Sequence, residues 1–179
     1  SSDLGVAESG KEIATRSDTT RKTTVGGMLQ VNAKEQIAYA FLIAIESAMR
    51  SQEVLSLTTT TVDSKARVAH LNATATKTKK ARDVPMSTRM VELLGRMVPD
   101  ERGRYFTISS EARDVQFRKA LATTPIEDLN FHDTRHEAIT RLAKRLKILD
   151  LARMTGHADI NELMTYYNES ASNIASLLD

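Results

Sequence analysis

"TRHEAITRLAKRLKILDLARMTGHADINELMTYYN", residues 134–168, decides how the chain is read. Asp133 can open a helix here, and Ala138, Ile139, Leu142 and Leu146 follow at spacings that share one helical face. Gly156 is placed to stop a second, short helix around ILDLARMT, and a third is expected around INELMTYY. These elements carry His132, Arg135, His136, His157 and the pair Tyr166–Tyr167, so cations and phenols gather on helix starts and ends.

Upstream, Asn32 in "NAKE" stands three residues before Glu35 and opens the strongly apolar helix AKEQIAYAFLIAIESAM, whose far end delivers Arg50. A short helix, SQEVLSL, follows. The pattern then changes to β-branched alternation, and ARVAHL and RDVPM read as two strands around the basic turn TKTKKA. Ser87 is placed to cap TRMVELLGRM and Ser110 to cap EARDVQFRKAL. The expected fold class is mainly α with a small antiparallel hairpin or sheet, α+β. Residues 1–30, polar and without a period, read as a flexible lead, and residues 31–179 as one folded domain.

Bulk properties exclude several functions. The chain has 179 residues and no cysteine, so disulfides, thiolate metal sites and thiol nucleophiles are out, as a reducing cytoplasm would suit. No apolar run reaches membrane-spanning length, and the first residues lack the apolar core of a signal peptide. The net charge is only +2, yet Lys65 to Arg104 holds ten basic residues against four acidic, while Ala158 to Asp179 holds four acidic and no basic residue. A basic stripe of that kind suits a polyanion partner, although a solvated charged face would look the same.

Four segments in order, AIESAMRSQEVLSL, TKTKKARDVPMS, HDTRHEA and TGHADINELMTYY, resemble the catalytic domain of the tyrosine recombinase (phage integrase) family, from about Ala33 to the C-terminus. The resemblance implies that family's catalytic-domain fold. It implies Arg50 and Arg135 as the catalytic arginines, His132 and His157 as the histidine positions, Lys77 as the hairpin lysine and Tyr166, nine residues after His157, as the nucleophile. Lys79 and Lys80 rival Lys77, because the segment before the hairpin looks slightly long. Together with Arg82 they are also expected to bind DNA. The family's usual tryptophan after LSL is Thr58 here, a change expected to touch packing rather than chemistry. The family also carries an N-terminal core-binding domain, which nothing here supplies, so the chain is expected to be the catalytic portion of a longer protein, bacterial or phage-encoded.

The chemistry can be argued from the residues. Attack on a DNA phosphodiester builds negative charge on its oxygens, and two guanidiniums, always charged and each a planar fork, meet that need. A phenol has a pKa of about 10, so only about one in a thousand is ionised at neutrality, and neighbouring arginines favour the anion. A lysine able to protonate the leaving alkoxide could add roughly 10² to 10⁴ in rate. Attack by a phenol exchanges one phosphodiester for another, so the step is reversible and needs no ATP, metal or other cofactor.

Competing readings are specific. His132 and His136 share a helix face, as a zinc site would begin, with His157 as a third ligand; the neighbouring Asp133 and Arg135 argue against it. His136 reads otherwise as a structural partner of the helix start, Glu53 as a buttress for Arg50, Glu46 as a rival partner for Arg50, and Tyr167 as the rival nucleophile. Three functions follow. The first is a site-specific DNA recombinase or integrase working through a 3′-phosphotyrosine, binding double-stranded DNA as a tetramer on paired sites and monomeric without DNA. The second is a type IB topoisomerase-like enzyme, and the third a DNA-binding module without catalysis.

Overall fold

The computed structural model describes residues 24–25, 28–29, 31–167, 170–176 and 178. The expected flexible lead thus lies mostly outside the described residues. Within that segment Thr24–Val25 (β1) and Met28–Leu29 (β2) pair antiparallel.

The first long helix, α1 (Ala33–Ser47), starts where Asn32 accepts the backbone N–H of Lys34 and Glu35 while Glu35 reaches back to the Asn32 N–H, the expected capping box. It ends at Ala48, whose φ of 55° is left-handed. That conformation is costly for a residue with a Cβ, but it turns the chain sharply into α2 (Ser51–Leu55). The Ala48 side chain is fully buried, so the strain is offset by packing.

A three-stranded antiparallel sheet follows, in the order β3 (Val62–Asp63), β4 (Val68–Leu71), β5 (Arg82–Pro85), with Val62 opposite Ala69 and Ala69 opposite Val84. The two expected strands are β4 and β5. Ser87 caps α3 (Thr88–Gly95) as expected. The next helix, α4 (Ser110–Leu121), is capped by Ser109 rather than Ser110. The helix α5 (Asp133–Ala143) opens at Asp133 as expected, with His132 flanking it. It leads through α6 (Ile148–Thr155) and the single turn α7 (Asn161–Met164) to α8 (Ala171–Ala175). Thr58 bridges Arg104 and bonds Thr60 and Thr61 in a turn.

Two buried clusters hold these pieces together. The larger joins α1, the sheet, α3 and α4 through Ile43, Leu57, Val84, Leu94 and Phe106, with Met49, Met86, Met90 and Met97 filling irregular gaps. Phe41, Phe117 and Phe131 stack within it at centroid distances of 5.4–6.0 Å, pinning the start of α5 to α1 and α4. The smaller cluster, Ala48, Ala138, Ile139, Leu151, Ala152 and Leu163, binds α5, α6 and α7 to the turn after α1. Arg50, His132, Arg135, His136 and His157 therefore stand on or beside elements fixed by buried apolar contacts.

Candidate active site

Arg135 lies in the first turn of α5 and is 4% exposed. Its Nη1 donates to the Ala48 carbonyl at 2.6 Å and its Nη2 to the Thr155 carbonyl at 2.8 Å. The left-handed turn at Ala48 presents the first of these carbonyls. Burial, reinforced by the Arg50 charge, lowers the Arg135 pKa to about 10, so the guanidinium stays charged at neutrality.

Arg50 is held from below. Glu53, fully buried, accepts the Arg50 backbone N–H at 2.7 Å, and its Oε1 lies 3.5 Å from Arg50 Nη1. That nitrogen is buried without a hydrogen-bond partner, and the Glu53 carboxylate is the anion it faces. Glu53 thus lies against Arg50, while Glu46 engages Arg141 and Ser87 instead.

Arg82, expected to contact DNA, is turned inward. Its guanidinium binds Glu53 as a fork at 2.7 and 2.8 Å, and its Nε donates to the Met154 carbonyl. Its charge is therefore spent inside the fold. Burial works to raise the Glu53 pKa, but the hydrogen bond and charge of Arg82, then Arg50, hold it below the usual carboxylate range. Gly156, with φ of +73°, ends α6 as expected, and a Cβ there would lie 3.0 Å from Arg82 Nε. Only glycine satisfies both the turn and that approach.

His157 follows directly. Thr155 has one hydroxyl proton, which it gives to the Leu151 carbonyl at 2.7 Å, so its oxygen receives the His157 Nδ1–H at 2.6 Å. In the neutral ring Nε2 is then an acceptor, 3.5 Å from Arg135 Nη2 and 3.6 Å from a Glu162 oxygen. Burial and the Arg135 charge lower the pKa of His157, against the pull of Glu162. His132 is likewise lowered by desolvation, then by His136 and Arg135.

The tyrosines divide. Both follow α7 in a tight turn, where Tyr166 N–H bonds the Leu163 carbonyl and Tyr167 N–H the Met164 carbonyl. The Tyr167 hydroxyl donates to the Leu146 carbonyl at 2.8 Å, and burial raises its pKa. The Tyr166 hydroxyl lies 2.9 Å from His136 Nδ1, one residue beyond Arg135 on α5. His136 is thus not simply a partner of the helix start. Its ring meets that of His132 edge to face at 5.1 Å, as their spacing on one helix face implies. Among the described residues no three His, Asp or Glu side chains are grouped to hold a metal ion.

The lysines stand apart from this network. Lys77, Lys79 and Lys80 are exposed in the turn between β4 and β5, which Thr76 pins by bonding both the N–H and the carbonyl of Lys80. Lys80 also lines, with Arg153, Gly156 and His157, a concavity of about 380 Å³. Of the expected site, Arg135 and His157 thus meet, Arg50 lies near enough for its charge to act on both, His132 packs on His136, and Tyr166 bonds His136.

Residues 20–173 match the model of the phage integrase family. The chain belongs to that family. It is 38% identical over 150 residues to a putative integrase/recombinase of Haemophilus influenzae, covering 82% of this chain and 49% of that relative. It is 37% identical over 141 residues to the shufflon-specific DNA recombinase of Escherichia coli, covering 78% and 36%. The chain therefore spans about half or less of the relatives it matches. In fold it is similar to the XerH site-specific recombinase bound to its difH substrate before cleavage (TM-score 0.60, 20% identity, 83% of this chain and 48% of that one). It is also similar to the catalytic domain of bacteriophage HP1 integrase (TM-score 0.58, 22% identity, 85% and 93%). Members of this integrase family thus share the mostly helical architecture with its small sheet.

Sequence reasoning missed the Glu53–Arg82 pair and the Thr155 hydroxyl. Neither has a local signature, since Arg82 lies 29 residues from Glu53 and Thr155 is one threonine among many.

Proposed function

We propose that this chain is the catalytic portion of a site-specific DNA recombinase that cuts and rejoins strands through a 3′-phosphotyrosine at Tyr166. The observation that carries the reading is the split between the tyrosines: Tyr167 is tied to a backbone carbonyl, while the Tyr166 phenol lies beside His136, the residue next to Arg135. In this reading Arg50 and Arg135 clamp the non-bridging oxygens of the scissile phosphate. His132 and His157 add donors to the same oxygens once protonated or reoriented by the anion. Lys77 protonates the departing 5′ oxygen, with Lys79 and Lys80 on the same turn contacting the backbone.

Double-stranded DNA is the partner this chemistry requires, and the cytoplasm the compartment. We further infer assembly as a tetramer on two duplexes, in which α8 and the residues after it, with Ile174 and Leu178 exposed, dock on a neighbouring protomer. A duplex nicked beside the cleavage site tests the chemistry, because an active enzyme becomes trapped on it and a mere binding module does not. Exchange of strands between two marked duplexes then separates recombination from supercoil relaxation.

A further inference from the structure

We propose that His136 is a catalytic residue of this site, the base that takes the Tyr166 phenolic proton as the phenol attacks and returns it when the strand is resealed. The inference rests on the reading of Tyr166 as nucleophile.

Geometry comes first. His136 stands one residue beyond Arg135 on α5, and its Nδ1 lies 2.9 Å from the Tyr166 hydroxyl, within the range at which a base must stand from the proton it removes. The other histidines are committed elsewhere. His157 gives its Nδ1–H to Thr155 and turns Nε2 toward Arg135 and Glu162. His70 pairs with Asp83 on the sheet. His132 meets His136 only ring to ring. Of the four histidines, His136 is the one hydrogen-bonded to a phenol.

With its proton on Nε2, the neutral His136 ring offers Nδ1 as an acceptor to the phenol O–H. The residue is exposed, so the ring can exchange protons with solvent between turnovers. The edge-to-face contact with His132 at 5.1 Å helps hold the His136 ring where Nδ1 meets the phenol. The base need remove the proton only as the Oη–P bond forms.

The step balances. The phenolic proton passes to Nδ1 while the Oη–P bond forms, the P–O5′ bond breaks, and the 5′ oxygen takes a proton from the lysine acid. In resealing, a 5′ hydroxyl loses its proton to the lysine amine and attacks phosphorus, the Oη–P bond breaks, and Nδ1 returns the proton to the phenol. No oxidant, reductant or further reactant enters.

The test uses the intact protein under single-turnover conditions, with a nicked duplex that the protein itself has selected from a randomised pool. That duplex is made in two forms, with oxygen or sulfur at the 5′ bridging position. Sulfur leaves without a proton, so a defect in the leaving-group acid is relieved on it and a defect in the base is not. His136→Ala and His136→Asn should both slow covalent capture roughly 10²-fold on both duplexes. Asparagine places an acceptor oxygen near the position of Nδ1 but cannot take a proton. Capture by His136→Asn at the wild-type rate would show that a hydrogen bond suffices and overturn the proposal. So would recovery of both variants on the sulfur duplex, or a His136→Ala rate equal to wild type. If wild-type protein captures neither duplex, the reading of the site itself falls, and this inference with it.

Discussion

Replacing Arg135 by lysine keeps a cation and removes the fork, and the structure says what each loss does. In the native site Nη1 and Nη2 each satisfy a different buried carbonyl, Ala48 and Thr155, leaving further N–H groups of the same plane for a phosphate. One ammonium on a flexible stem cannot hold both carbonyls and still present donors to DNA. A stranded buried carbonyl costs about 1–3 kcal/mol. For a domain of this size each kcal/mol lowers Tm by about 2–4 °C. Separately, loss of the bidentate contact formed on the charged transition state should slow cleavage at least about 100-fold, equivalent to about 2.7 kcal/mol. Burial and Arg50, which lower the arginine pKa to about 10, would depress an ammonium too, so the variant should lose its remaining activity further as pH rises. The assay is single-turnover capture on a nicked duplex at saturating protein, well below the variant's Tm, with DNA affinity measured in parallel. Capture within a few-fold of wild type would refute the clamp, and equal losses in affinity and cleavage would reduce Arg135 to an ordinary phosphate contact.

Tyr166→Phe should abolish covalent capture and leave DNA affinity almost intact, whereas Tyr167→Phe should capture normally and lose only about 1 kcal/mol with its bond to Leu146; the reverse pattern in a capture gel would reassign the nucleophile. Glu53 has a lowered pKa because Arg82 and Arg50 overcome its burial, so its stabilisation is full above the unfolded carboxylate pKa and is lost as pH falls through the folded one. Glu53→Gln should therefore flatten the acid side of a Tm-against-pH curve, and an unchanged slope would count against the buried pair. Gly156→Ala should cost about 1–2 kcal/mol from the left-handed turn alone, more where the methyl displaces Arg82, and thermal melting reads it directly. Cleavage should survive EDTA; activity lost in chelator and restored by zinc would revive the histidine cage.

Local signals were legible in the sequence and pairings between distant segments were not. Asn32 with Glu35, Ser87 and Gly156 mark helix ends because capping is settled within a turn of chain. The cap of α4 shifted by one residue because Ser109 and Ser110 are chemically equivalent candidates, and only backbone geometry chooses between them. The strand β3 is two residues long, too short to show a period. Arg82 shows why a basic stripe overstates a DNA face: sequence supplies the charge but not its direction, and the buried carboxylate that turns it inward lies on another element. The histidine pair at i and i+4 was visible as a shared face, yet the group that face meets, the Tyr166 phenol, is thirty residues further on.

The two inward arginines crosslink the elements that carry the candidate site. Arg135 ties the turn after α1, at Ala48, to the end of α6, at Thr155. Arg82 ties the same two regions again, through Glu53 in α2 and the Met154 carbonyl in α6. Arg50 lies between the first pair of anchor points, and His157 follows the second. Each crosslink runs from a buried cation to buried oxygens, so neither is screened as a surface ion pair would be. Fixed donors of this kind need not reorganise when charge develops on a bound phosphate, which is the condition under which electrostatic stabilisation contributes most to rate. Weakening Arg82 should therefore loosen Glu53, and through Glu53 the backbone of Arg50.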